Sequence, residues 1–276
     1  MSYATLMLHL EPGRSNAALL SLAGDLAERF QAGVIGLAVG QPAAIFAGDG
    51  FIDGALVDAE WKALDRETAA LEAEFRAALQ GHLAGPLSWR VARHDAPVVD
   101  DIVRQARAAD LLITSAVRGD LFDATRAVDT GSLVLQAGRP VLVVPTQGAA
   151  LTCRHALVAW TDSREARRAV SDALPLLARM ARVTVAEVAA EADMAQARGR
   201  VADVVVWLSA HRITATPLVS PATGNDADAL YALAQDQGAD LLVAGAYGHG
   251  RLREWVLGGV TRDLLLRADR CTLLSH

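Results

Sequence analysis

The chain has 276 residues, 52% of them hydrophobic and 21% charged, with a formal net charge of −6. That length suits one large domain or two of ordinary size, and the apolar content supports packed cores rather than long disorder. The negative balance, without any basic stripe, argues against a general nucleic-acid binder.

In chain order, the first element is the apolar run "YATLMLHL" (3–10), read as a strand. "EPGRSNAALLSLAGDLAERF" follows, with a turn, a Ser/Asn start signal and helical apolar spacing at Ala18, Leu19, Leu22 and Leu26. "GVIGLAVG" predicts a second strand. Residues 40–56, "GQPAAIFAGDGFIDGAL", have several glycines and no periodicity, and read as an excursion peculiar to this half. "DAEWKALDRETAALEAEFRAAL" predicts a long helix, "LSWRVA" a strand, "PVVDDIVRQAR" a helix and "ADLLIT" a fourth strand. After the loop "SAVRGDLFDATRAVDTGS" come a helix and the closing strand "RPVLVVP".

The same order then repeats. "RHALVAW", "TDSREARRAVSDALPLLARM", "RVTVAEVA", "EADMAQARGRVADVVVWLSAH", "ITATPLV", "DADALYALAQDQ" and "ADLLVA" alternate strand and helix. "ADLLIT" superposes on "ADLLVA", with Ala109 on Ala239. The second half closes with a helix over "VTRDLLLRA" and the strand "RCTLLSH". Strands alternating with helices predict an α/β protein with parallel sheets covered on both faces. "PTQGAALT" (145–152) is the linker signal near the midpoint, which sets the domains at 1–148 and 149–276.

The stretch "GAYGHGRLREWVLGG" (245–259) follows the fourth strand of the second half. Gly245 and Gly248 would let backbone N–H groups approach an anion, and Gly258 with Gly259 would open a helix whose first N–H groups are unpaired. His249, Gly250, Arg251, Arg253 and Arg262 add hydrogen-bonding or positive groups. A turn serving only chain geometry is the competing reading, because glycine after a strand is ordinary punctuation. The corresponding loop of the first half has Ser115 for Gly245 and Arg118 for Gly248, with Val128 or Asp129 near the glycine pair. Asp120, Asp123 and Asp129 would repel a polyphosphate there. At most one polyphosphate site of this type per chain is therefore expected, in the second half, with the first half mainly structural. Glu11, ending the first strand, reads as a solvated turn residue, and Ser163 as a helix N-cap.

The spacing Gly245-x-x-Gly248, nine residues, then Gly258, resembles the universal stress protein family, whose nucleotide-binding members carry it after the fourth strand. The element order of both halves is similar to that family too. The resemblance implies two tandem flavodoxin-like domains (adenine nucleotide alpha hydrolase-like), each a five-stranded parallel sheet of order 3-2-1-4-5 with helices on both faces. It implies a stress-response role and an ATP or related adenine nucleotide, with magnesium held by phosphate oxygens and water. Gly245, Gly248 and Gly258 match the family's phosphate-loop glycines. Gly259 stands at the family's Ser/Thr position, with its backbone N–H, that of Val260, and the Thr261 hydroxyl nearby as contacts. Thr161 stands where the family often has an aspartate facing the nucleoside, with Asp162 beside it. Val185 and Ala186 match the end of the second strand, whose backbone meets adenine.

Three function classes stay open: a nucleotide-binding sensor or regulator, a structural or interaction protein without nucleotide, and a slow nucleotide hydrolase. Asp162 and His249 are the only candidates for a base, so no catalytic residue is assigned. The scattered histidines show no metal-ligand spacing. Cys153 and Cys271, far apart in apolar contexts, read as buried small hydrophobes in a reducing compartment. No basic leader and no stretch of ~18 apolar residues is seen, so a cytoplasmic protein off the membrane is expected. The two closing strands are expected to join the halves edge to edge as an intramolecular pseudo-dimer, and a homodimer is compatible with the sequence.

Overall fold

The computed structural model describes residues 2–41, 54–81, 83–93, 97–116, 128–146, 151–222, 224, 226–247 and 269–276. It divides into two compact units, Ser2–Arg139 and Pro140–His276.

In the first unit the strands are β1 (Thr5–Leu10), β2 (Gly33–Val39), β3 (Leu87–Ala92) and β4 (Leu111–Ser115). They lie in the order β3-β2-β1-β4, all parallel. The helices are α1 (Ala17–Phe30), α2 (Gly54–Leu79), α3 (Val98–Ala106) and α4 (Thr130–Gln136). β2 is buried at every residue, as a sheet covered on both faces requires. α1 buries Leu19, Leu22 and Leu26 of the predicted stripe, together with Ala23 and Phe30, while Ala18 is exposed. Phe30 closes it edge-on against Tyr3, ring centroids 5.2 Å apart. The helix α2 starts at Gly54, so the last three residues of the expected excursion are helical; 42–53 lie outside the described residues.

The second unit holds β5 (Val141–Val144), β6 (His155–Ala159), β7 (Arg182–Ala189), β8 (Ala215–Pro221), β9 (Leu241–Gly245) and β10 (Cys271–Ser275). Its helices are α5 (Arg164–Leu177), α6 (Met194–Ala210) and α7 (Asp226–Asp236). The strand order is β8-β7-β6-β9-β10, parallel throughout, which is the 3-2-1-4-5 order. β5 adds antiparallel on β10, with Leu142 opposite Leu273. Cys153 and Cys271 are buried, and burial pushes the Cys271 thiol up to about 12. Among the described residues no helix is long and apolar enough to cross a membrane.

One contact is made twice. Asp110, just before β4, accepts from the N–H groups of Ala4 (2.8 Å) and Thr5 (3.0 Å) at the start of β1. Asp240, just before β9, accepts from the N–H groups of Arg154 (3.1 Å) and His155 (3.0 Å) at the start of β6, and from the Thr152 hydroxyl (2.6 Å). Burial pushes the Asp240 carboxyl up, but the Thr152 hydroxyl and these backbone donors outweigh it, and the carboxyl is held below its usual range. The repeated "AD" of the sequence is thus a carboxylate clamp between the first and fourth strands of each half.

A second constraint sits at the other end of β9. A Cβ on Gly245 would lie 2.4 Å from the Ala166 nitrogen and 2.5 Å from the Glu165 carbonyl carbon. The first turn of α5 packs directly on that strand end. Ser163 starts the helix as predicted, its side chain accepting from the Ala166 N–H at 3.1 Å.

His9 on β1 is fully buried, with Nδ1 3.0 Å from the Thr114 hydroxyl, and desolvation lowers its pKa to about 4. The neutral ring is the folded form, so this stability is present above the unfolded value of 6.5 and is lost as pH falls toward 4. His155 is also lowered by burial, so it contributes in the same sense.

Asp240→Ala is expected to cost about 2–3 kcal/mol of stability in urea unfolding, because three donors lose a charged acceptor. Asp240→Asn should recover part of it. Gly245→Ala should destabilise by more than about 1 kcal/mol, since backbone must move to admit the methyl group; an unchanged melting temperature would contradict the packing. Unfolding free energy should fall between pH 6.5 and 4 with a contribution from His9 of about 3 kcal/mol. His9→Gln should flatten that slope by about 1.4 kcal/mol per pH unit, leaving the part due to His155.

Candidate functional site

In an open parallel sheet, ligands bind beyond the carboxyl ends of strands where the strand order reverses. In the second unit that point lies between β6 and β9, because β7 and β8 extend the sheet one way and β10 the other. Ala159 is paired with Ala244, so the two strands end level. Beyond β6 come Trp160, Thr161 and Asp162; beyond β9 come Ala246 and Tyr247. Thr161 and Asp162 therefore follow β6 at the same sheet edge where Gly245 ends β9.

Thr161 is half-buried, and its carbonyl accepts from the Ser163 N–H at 2.7 Å. Its hydroxyl lies 3.4 Å from the Ser163 oxygen. Asp162 is exposed and salt-bridged to Arg167 at 2.6 Å. Such a hydroxyl and carboxylate are the donor and acceptor types that meet sugar hydroxyls. Gly245 opens the turn, but its missing side chain already has a packing cause at α5. Tyr247 carries a positive φ of 65°, uncommon for a bulky residue. The start of the turn is anchored to the last strand: Ala246 donates from its N–H to the Ser275 carbonyl (2.9 Å), and the Ala246 carbonyl lies 3.0 Å from His276 Nδ1. Gly248, His249, Gly250, Gly258, Gly259, Val260 and Thr261 lie outside the described residues.

Two placements are corrected. β7 runs on to Ala189, so Val185 and Ala186 lie inside the sheet rather than at its end. They pair with Val158 and Ala159 on one side and with Pro217 and Leu218 on the other. The Ala186 carbonyl is already taken by the Trp160 N–H at 2.7 Å. The residues that reach the edge from β7 are Glu187 to Ala189. The second correction is Glu11 in the first unit. It is buried, at 3% exposure, with its carboxylate 3.2 Å from Arg14. Its backbone N–H and C=O both bond the Asn16 side chain, each at 3.1 Å. The tight turn, rather than solvent, surrounds it.

The rest of the first unit's edge differs in kind. Asp129 caps α4, accepting from the Gly131 and Ser132 N–H groups at 3.2 and 3.3 Å. This carboxylate is engaged rather than unpaired, and it occupies the anion-seeking start of α4 itself. Asp120, Asp123 and Arg118 lie outside the described residues.

The sequence did not single out Trp160, Arg167 or Arg200. They line a cavity of about 450 Å³ between α5 and α6, with Asp162, Val170, Asp203, Val204 and Trp207. Arg200 reaches back to β7 and forks onto the buried Glu187, its Nε 3.1 Å from Oε1. The signal available was Trp160 itself, an indole directly ahead of Thr161 at the end of a buried strand.

Residues 219–274 match the family model described as the universal stress protein family. No curated protein is significantly similar to the chain in sequence. Among solved structures, the chain is similar to a universal stress protein from Archaeoglobus fulgidus DSM 4304, with a TM-score of 0.73 at 12% identity, over 99% of this chain and 98% of that one. It is also similar to a functionally unknown protein from Pseudomonas aeruginosa PAO1, with a TM-score of 0.62 at 16% identity, over 99% and 92%. Residues 219–274 are therefore similar in sequence to the universal stress protein family, and the whole chain shares its fold with a universal stress protein.

Proposed function

We propose that the second half binds ATP or a related adenine nucleotide beyond the carboxyl ends of β6 and β9, and that the protein acts as a sensor or regulator in a stress response. One observation supports the reading: Ala159 of β6 pairs with Ala244 of β9 where the strand order reverses, so Thr161 and Asp162 follow β6 at the same sheet edge where Gly245 ends β9. The hydroxyl and carboxylate suit the ribose. The spacing Gly245-x-x-Gly248, then Gly258, suits a polyphosphate met by backbone N–H groups. Because Gly245 is already pressed against α5, the phosphate contacts fall to Gly248, Gly250, Gly258 and Gly259, with Val260 and Thr261. Bound nucleotide would bring magnesium on its own phosphate oxygens. No group in this set is placed as a general base, so turnover is not part of the reading.

The alternative, an interaction protein of this fold without nucleotide, is favoured by the same Gly245 contact, which explains one glycine without a ligand.

Purified protein, denatured and cleared, is expected to release adenine nucleotide, and stripped protein to bind ATP in calorimetry. Gly248→Trp should abolish that binding, while Arg118→Ala in the first half should leave it unchanged. No nucleotide released and no heat at millimolar ATP would refute the proposal. Equal loss from both variants would refute a single site. Phosphate release by the native protein should not exceed that of Gly248→Trp.

A further inference from the structure

We infer that the cavity between α5 and α6 binds an uncharged, planar aromatic molecule that carries a hydrogen-bond acceptor. This inference does not rest on the nucleotide reading. The volume, about 450 Å³, lies in the range of small-molecule sites. Val170 on α5 and Val204 on α6 are buried apolar walls. Two indoles complete them. Trp207 is 39% exposed on α6, a large apolar side chain left half in water, with its ring centroid 4.5 Å from that of His211. Trp160 is only 6% exposed, and its Nε1 is buried without a hydrogen-bond partner among the described residues. A buried N–H without an acceptor is costly and uncommon, and a ligand oxygen or ring nitrogen would supply the missing partner.

Charge decides the ligand class. The two guanidinium groups at this cavity are already matched, Arg167 by Asp162 and Arg200 by Glu187. Asp203 adds a further carboxylate to the lining. An anion entering here meets no uncompensated cation and would have to displace a carboxylate. A phosphorylated or carboxylated ligand is therefore disfavoured, and an uncharged ring is favoured by the apolar walls and the Trp160 donor.

The test uses the full chain, ¹⁵N-labelled, with the indole N–H resonances read by NMR. Coumarin is the probe, being flat, neutral and equipped with a carbonyl acceptor. Indene is its counterpart without an acceptor, and coumarin-3-carboxylate its anionic counterpart. Coumarin is expected to shift the Trp160 and Trp207 indole resonances saturably. Indene and coumarin-3-carboxylate should both bind more weakly. Trp207→Ala, at a half-exposed position, should weaken coumarin about tenfold, the loss of one aromatic contact. Trp160→Phe keeps a ring but removes the donor. Followed at the Trp207 resonance, it should weaken coumarin about fivefold and leave indene unchanged. No saturable shift at the solubility limit of coumarin would overturn the inference. So would equal affinity for coumarin and indene, or tighter binding of the carboxylate. The comparison of the three probes on the native protein needs no variant to fold.

Discussion

A carboxylate set before the fourth strand, holding the N–H groups that open the first, is the contact on which both halves depend. Asp110 does this for β1 and Asp240 for β6. The two clamped strands are neighbours in space but distant in sequence, and their pairing is where the sheet changes direction. A backbone donor at the start of a central strand has no ladder partner beyond it. Supplying that partner from the adjacent strand sets which residues lie opposite one another. With Ala156 opposite Leu241, Ala159 falls opposite Ala244, and the carboxyl ends emerge level. The site at the edge is thus set by a charged contact at the opposite end of the same strands.

The same frame then carries two different edges. In the first half the chain leaves β1 through a tight turn closed by Asn16, with Glu11 folded inward onto Arg14. His9 and Thr114 bond each other beneath it, and Asp129 fills the start of α4 with its own carboxylate. Asn16, Thr114 and Asp129 are each held by an internal hydrogen bond. In the second half Thr161 and Asp162 stand at the rim, Asp162 in solvent, and Ser163 alone is spent on the cap. The first half has turned its edge into structure, while the second keeps polar groups facing outward.

Charge in the second half is balanced locally rather than gathered. Arg167 lies on Asp162, Arg200 on Glu187 and Arg168 on Asp172. With a net charge of −6, the chain builds no broad positive field. Oriented backbone N–H groups recognise an anion without a counter-charge, and the apolar cavity beside α6 has a chemistry separate from that.

The sequence by itself determined the alternation of strands and helices, the repeat and the start of α5. These rest on local periodicity and capping, which neighbouring residues decide. It also placed Gly245 at the end of an apolar run, while Thr161 and Asp162 were marked by the family resemblance. Only the tertiary structure decided what distant groups decide. The span of β7 was legible as "RVTVAEVA", but the resemblance set Val185 and Ala186 at its end, and they pair with strands on both sides within the sheet. Glu11 was read as solvated because a carboxylate in a turn usually is, and only the Asn16 and Arg14 contacts take it inside. Gly245 was weighed as a ligand residue, yet the backbone of Glu165 and Ala166 excludes a side chain there. The cavity of Trp160 and Trp207 had no linear trace, since its lining residues follow β6 or sit on α5 and α6 and meet only in the folded unit.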